Sequence, residues 1–285
     1  MNISILGSGS WGSALSKVLS DNDYNINLWH RNQDFVNQKN KDSIDKLHYT
    51  SNLSHLKNSD LLLVALPSHV IKSVLQKISV NKNTIIVNCS KGFDLNSGKR
   101  LSSVIIKELG IDDNNFSILS GPSHAEEVIR KVPTAVVVSS NSEKTAKLVQ
   151  KIFSNDYFRV YTNSDVIGVE IAGACKNIIS IASGICIGLE YGDNTIAALI
   201  SRGLQEIVRF GVQYKAKEAT FYGLAGLGDL SVTAYSKFSR NRQFGIEIGQ
   251  GLNKDKAIQK IKMIVEGVNA SHAIHKISKK NKINM

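Results

Sequence analysis

Residues 173–184, GACKNIISIASG, read as the interior of a helix: small and apolar, without proline, and with one lysine, Lys176, in the middle. A buried ammonium needs an acidic partner or must lose its proton. On a helix its neighbours three and four residues away are Ala172, Gly173, Ile179 and Ser180, with Ser183 one turn further on. That face is small and partly polar, with room for a ligand or another backbone beside the ammonium. A lysine reaching out from a helix edge would have the same local sequence. Two later stretches favour chemistry. GLAGLGDLSVT (223–233) carries one acid, Asp229, in what reads as a neutral, glycine-rich loop. FSRNRQFG (238–245) groups Ser239, Arg240 and Asn241, a set suited to holding an anion. A lysine, a carboxylate and an anion-binding group are the residue types of acid–base chemistry on an anionic ligand.

A second group stands at the start of the chain. The strand-like run NISILG leads into Gly7-Ser8-Gly9-Ser10-Trp11-Gly12 and then into a helix. This is the strand–turn–helix setting that a dinucleotide-binding GxGxxG requires. Gly7 permits the tight turn, Gly9 lets the backbone approach a pyrophosphate, and Gly12 lets the helix pack closely on the strand. The helix N-terminus then faces the phosphates. The next strand, NINLWHR (25–31), ends in Trp29-His30-Arg31, where an NAD site normally has a carboxylate for the ribose hydroxyls. Without the acid, and with Arg31 able to pair with a 2′-phosphate, the expected cofactor is NADP(H), with NAD(H) as the second choice.

These groups need a scaffold, and the 285 residues are enough for two ordinary domains. Apolar runs at DLLLVALPS (60–68), TIIVNCSKG (84–92), FSILSGPS (116–123) and TAVVVSS (134–140) alternate with segments of helical character. That alternation predicts an α/β, Rossmann-like domain with a mostly parallel sheet covered on both faces. From about Asp165 the strands cease, and DVIGVEIAGACKNIISIASGICIGL and TIAALISRGLQEIVRFGV read as helices. The expected division is a dinucleotide-binding domain at 1–163 and an all-α substrate domain at 164–285.

Composition narrows the class. No apolar run reaches the roughly 18 residues of a membrane span, and the start lacks the basic flank of a signal peptide. Cys89, Cys175 and Cys186 have neither metal nor redox spacing, which fits plain thiols in a reducing cytoplasm. The net charge of +11 is scattered rather than clustered. With no zinc finger or RNA-binding aromatic motif present, it reads as a compositional habit over solvated faces, with some benefit for anionic ligands, rather than as a nucleic-acid surface.

The chain resembles the bacterial NAD(P)-dependent glycerol-3-phosphate dehydrogenases. The resemblance runs from residue 3 almost to the end, through GSGSWGSALS, ALPSHV, SKGF, SGPSHAEEV, the long GVEIAGACKNIISIASGICIGLEYGDNTIAALISRGL, GLAGLGDLSVT, SRN and VEGVNA. It implies reduction of dihydroxyacetone phosphate to glycerol 3-phosphate for phospholipid synthesis, by a cytoplasmic homodimer without a metal.

It also implies residue roles. Lys176 matches the proton-transferring lysine, Asp229 the acid beside it, and Lys91 a lysine close to both cofactor and substrate. Gly121, Ser123, Thr233, Ser239, Arg240 and Asn241 match substrate contacts, with Arg240 near the phosphate. Ser10, Trp11, His30, Arg31 and Ala125 match the cofactor side, joined by Arg240 and by Ile264 and Glu266 of IVEG. Two departures stand out. The segment between Arg31 and Asp60 is shorter than in the family, and the sequence ends at KINM, where further helical sequence is expected. Two other readings of these residues are a keto-acid reductase of the same broad fold and a non-catalytic dinucleotide-binding protein. The SRN group and the GVEIAGACKN motif oppose the first. The joint presence of Lys91, Lys176 and Asp229 opposes the second.

Overall fold

The computed structural model describes residues 1–41, 46–262 and 264–285. Its contacts group the chain into two compact units. One holds Met1–Ser90, Leu101–Leu119 and Ser123–Val166; the other holds Lys91–Arg100, Ser120–Pro122 and Ile167–Met285. A single cut at residue 163 would leave Lys91 and Gly121 with the sheet. Their contacts group both with the helices instead.

Among the described residues the first unit is built on eight strands: β1 (Ile3–Leu6), β2 (Ile26–Trp29), β3 (Leu47–Thr50), β4 (Leu61–Val64), β5 (Ile85–Asn88), β6 (Phe116–Ser120), β7 (Thr134–Ser139) and β8 (Phe158–Asn163). Their order is β3-β2-β1-β4-β5-β6-β7-β8. β1 pairs in parallel with β2 and β4, and the β2–β3, β4–β5, β5–β6 and β7–β8 pairs are parallel as well. Between strands lie α1 (Ser10–Asp21), α2 (Gln33–Lys41), α3 (Ser68–Leu75), α4 (Leu101–Leu109), α5 (Ala125–Ile129) and α6 (Glu143–Phe153). The wholly buried strands ISIL and LLLV explain the continuous apolar runs, because a parallel sheet is covered on both faces. The sequence reading did not find β3 and β8. Both are edge strands, and β8 (FRVYTN) alternates buried and exposed residues. An apolar-run criterion passes over that pattern.

The second unit is helical: α7 (Val166–Gly188), α8 (Asp193–Gln213), α9 (Glu218–Phe221), a π-helical turn at Leu224–Gly228, α10 (Asp229–Tyr235), α11 (Arg240–Gly249), α12 (Lys254–Ile261) and α13 (Glu266–Asn281). One expectation needs correction. The glycine-rich stretch around Asp229 is a helical turn running straight into α10, with Asp229 as its first residue. The basic stretch at 238–245 is the start of α11, with Ser239 as N-cap accepting from the Arg242 N–H at 3.2 Å.

Helix α7 is long and apolar enough, by length and composition alone, to cross a bilayer, although no apolar run in the sequence suggested it. Ile171, Ala172, Ala174 and Cys175 instead lie in this unit's core with Phe93, Ile200, Phe210 and Phe221. Farther along, α7 crosses α11 through paired glycines. A Cβ on Gly184 would lie 2.0 Å from the Arg242 carbonyl oxygen, and one on Gly245 would lie 2.1 Å from that of Ile181. Only glycine permits this approach, and it brings the start of α11 alongside the middle of α7.

Candidate active site

The polar face of α7 assembles the second unit's site. The Lys176 ammonium donates to Asp229 Oδ1 and, at 2.7 Å, to Thr233 Oγ1. Asp229 and Thr233 are four residues apart and share one face of α10, so one lysine reaches both. Thr233 is itself fixed, donating to the Asp229 carbonyl at 2.6 Å. The other carboxylate oxygen of Asp229 accepts from Lys91 Nζ at 2.6 Å. The side chains of Lys91, Lys176 and Asp229 are 19%, 8% and 1% exposed.

One buried carboxylate thus holds two ammonium groups. Burial, reinforced by the neighbouring Lys91 charge, outweighs Asp229 and brings the Lys176 pKa down to about 7. Burial also opposes the charge on Lys91, but Asp229, helped by Glu266, prevails there and raises its pKa. Burial alone would raise the pKa of Asp229, but the two lysines hold it below the ordinary carboxylate value. The triad therefore keeps its carboxylate ionised, one lysine charged, and the other near its titration point at neutral pH.

Further hydroxyls lock the helices in place. Ser180 donates to the Thr233 carbonyl at 2.8 Å and Ser183 to that of Ala234 at 3.0 Å. These carbonyls belong to the last turn of α10, which has no helical partner for them. Ser180 also bonds Ser239, the N-cap of α11, at 2.9 Å. Asn241 donates to Asn177 at 3.0 Å and accepts from the Gly267 N–H at 2.9 Å, tying α11 to α7 and to the start of α13. Arg240 is exposed in the first turn of α11, and its side chain makes no bond among the described residues. Glu266 opens α13, and Ile264 before it is 43% exposed. Gly121 has φ +144°, a conformation that favours glycine.

Sequence reasoning missed a buried ion pair in this unit. Arg100 donates to Glu170 on α7 at 2.9 Å, and Glu170 is almost fully buried. With Phe93 in the core, this pair fastens the Lys91–Arg100 segment to α7. Glu170 was visible within the long motif, but nothing local names a partner 70 residues away.

The remaining predicted residues lie in the first unit. At the end of β1, Gly7 has φ +117°, and a Cβ on Gly12 would lie 1.9 Å from the Gly7 carbonyl oxygen. Gly9, by contrast, has nothing within 4 Å of its Cβ position. It is the N-cap of α1 and offers no side-chain cap to the N–H groups of Ser10, Trp11 and Gly12. Ser8 Oγ is buried without a partner among the described residues. This turn lies where the strand order reverses between β1 and β4, the usual nucleotide position in such sheets. An open glycine, uncapped helix N–H groups and a buried unpaired hydroxyl fit a pyrophosphate.

At the end of β2, His30 is engaged in its own turn. Its Nδ1 accepts from the Asn32 N–H at 3.1 Å, and its ring packs on Phe35 at 4.1 Å. Arg31 is exposed and makes no bond among the described residues. Trp11 is partly buried against the sheet core. Ala125, nearly buried, is the first residue of α5, and Ser123 lies two residues before it. No group of His, Cys, Asp and Glu among the described residues could hold a metal ion.

Comparison with known proteins agrees along the whole chain. Residues 2–146 match the family described as NAD-dependent glycerol-3-phosphate dehydrogenase N-terminus, and residues 165–285 match its C-terminus. A protein of Carboxydothermus hydrogenoformans named glycerol-3-phosphate dehydrogenase [NAD(P)+] is 44% identical, over 100% of this chain and 89% of its own length. One of the same name from Clostridium botulinum is 43% identical, over 99% and 89%. The crystal structure of the Coxiella burnetii glycerol-3-phosphate dehydrogenase superposes with a TM-score of 0.93 at 36% identity, covering 100% of this chain and 91% of that one. With a glycine turn that suits a dinucleotide, two lysines joined by one buried aspartate, and both halves matched in order, the chain belongs to the NAD-dependent glycerol-3-phosphate dehydrogenase family.

Proposed function

We propose that the protein reduces dihydroxyacetone phosphate to sn-glycerol 3-phosphate with NAD(P)H, reversibly, supplying phospholipid synthesis. The observation that carries this reading is the buried triad, in which Asp229 holds Lys91 and Lys176 together. When bound to the glycine turn of β1, the nicotinamide cofactor supplies the hydride. Lys176 then serves the ketone oxygen. Its ammonium stabilises the negative charge that develops there and donates the proton that completes the alcohol. A pKa of about 7 lets it release that proton and regain one at neutral pH. Lys91 supplies a second positive charge, and Asp229 and Thr233 fix the direction of the ammonium. Arg240, exposed at the N-terminus of α11, binds the phosphate, so that binding energy remote from the ketone positions the reacting carbon.

The cofactor preference follows from β2. Arg31, exposed and unbonded among the described residues, stands where a carboxylate would select NAD, so NADP(H) is preferred. His30, bonded within its own turn, supports that loop. On the same reading Gly7, Gly9, Ser10, Trp11, Gly12, Ala125, Lys91, Arg240, Ile264 and Glu266 serve the cofactor. Gly121, Ser123, Ser239 and Asn241 line the substrate, the last two chiefly by holding α11 on α7. The enzyme is cytoplasmic and a homodimer, which light scattering on the purified protein tests. The decisive assay is NADPH oxidation with dihydroxyacetone phosphate added or withheld, in wild type and Lys176→Met. Wild type turns over only with the ketone, and the variant loses roughly 100- to 10,000-fold. A variant of near-normal turnover would overturn the assignment.

A further inference from the structure

We propose that Ser120 recognises the C1 hydroxyl of the triose phosphate and so distinguishes it from a ketone phosphate that lacks this group. The proposal rests on the substrate reading above. Ser120 is 3% exposed, and its Oγ is buried with no hydrogen-bond partner among the described residues. A buried hydroxyl left unpaired is costly and calls for an explanation. The other hydroxyls on this side of α7 are committed. Thr233 bonds Lys176 and the Asp229 carbonyl, Ser180 bonds the Thr233 carbonyl and Ser239, and Ser183 bonds the Ala234 carbonyl.

Its position fits the role. Ser120 Oγ lies 3.0 Å from where a Cβ on Gly173 would sit, with Lys91 Cγ and Cδ at 3.6 and 3.7 Å from the same point. Ser120 therefore stands beside the Lys91 stem, about one turn before Lys176. Along α7 the site is ordered: Ser120 and Lys91 at Gly173, the carboxylate and ammonium at Lys176, and Ser239 with the start of α11 at Ser180. At about 1.5 Å per residue, those steps are roughly 4.5 and 6 Å. The substrate has the same order: a hydroxymethyl group, a ketone carbon, then a phosphate. With the ketone oxygen at Lys176 and the phosphate at Arg240, the C1 hydroxyl falls at the Gly173 end. A serine hydroxyl both donates and accepts, which suits another hydroxyl, whereas an ammonium only donates.

The test compares dihydroxyacetone phosphate with hydroxyacetone phosphate, which has a methyl in place of the hydroxymethyl group. It uses wild type, Ser120→Ala and Ser120→Cys, the last keeping the side chain's shape with a weak donor. Wild type should favour the hydroxylated substrate about tenfold to a hundredfold in kcat/KM, since a site built for a hydroxyl rejects an analogue lacking it. Ser120→Ala should lose that factor on dihydroxyacetone phosphate and change less than about threefold on the deoxy analogue, so the preference collapses. Ser120→Cys should fall between. An equal loss on both substrates marks a structural role and overturns the proposal. So does a preference unchanged in the variants while wild type turns over normally. If wild type reduces neither ketone, the substrate reading itself fails and this inference falls with it.

Discussion

Removing the charge of Lys91 should move the pH dependence of the reaction toward alkali. Reduction requires protonated Lys176, so the rate falls as pH rises through the Lys176 pKa, which is brought down to about 7 by burial and by the Lys91 charge. Lys91→Met keeps the stem that packs beside Gly173 and removes the ammonium. Two like charges about 4 Å apart, a separation of the order expected for two lysines on one carboxylate, repel by about 4 kcal/mol at an effective dielectric constant near 20. At about 1.4 kcal/mol per pKa unit, removing that repulsion raises the Lys176 value by up to about three units. Asp229 remains as its partner, so the charged form stays supported.

The assay is kcat/KM for dihydroxyacetone phosphate from about pH 6 to 10, which reports the free enzyme. The substrate phosphate titrates near pH 6, so only the alkaline limb is read. Wild type should lose efficiency above about pH 7, whereas Lys91→Met, slower overall, should hold its own level until roughly two to three units higher. Lys91→Arg keeps the charge and should keep the wild-type midpoint. If the methionine variant still falls near pH 7, the inflection belongs to another group and the electrostatic account of the triad is wrong.

Arg31→Asp should lower the NADPH-to-NADH ratio of catalytic efficiencies by roughly tenfold to a hundredfold, the value of one charge-assisted contact; an unchanged ratio would place 2′-phosphate recognition elsewhere. Gly184→Ala drives a Cβ against the Arg242 carbonyl oxygen. It should cost about 1–3 kcal/mol in denaturant unfolding and raise the KM for dihydroxyacetone phosphate by displacing α11. Gly228→Ala, whose Cβ would meet only ordinary contacts at 3.7 Å in a helical conformation, should be tolerated. Lys176 also predicts a pH-dependent stability. Between about pH 7 and its ordinary value of 10.5 the unfolded chain holds a proton that the folded one lacks, so the Lys176 contribution to wild-type stability rises with pH. The slope is at most about 1.4 kcal/mol per unit. Lys176→Met should lack that component, and equal slopes in urea titrations at pH 7 and 9 would contradict the lowered pKa.

Much of this molecule is legible one segment at a time. The buried strands ISIL and LLLV announce a parallel sheet because both of their faces need apolar side chains. The Gly7–Gly12 turn announces itself because its steric demands fall within six residues. Lys176 could be singled out because an ammonium is anomalous on a helix of small apolar residues, and Asp229 because it is the one acid in a neutral stretch. What these residues do to one another was not legible. That Asp229 takes Lys91 and Lys176 together, across 138 and 53 positions, sets which lysine titrates near neutrality. The loop reading of 223–233 failed because its glycines stand in a helical turn rather than a free chain. Elsewhere in this unit glycines serve close helix approach, such as Gly245 with its Cβ position 2.1 Å from the Ile181 carbonyl oxygen of α7. Local propensity records the cost of glycine in a helix but not the neighbouring backbone that requires it. Electrostatic coupling and helix approach depend on distances between segments remote in sequence. Residue type and spacing fixed which groups could act, and the tertiary fold alone decided which of them share a charge.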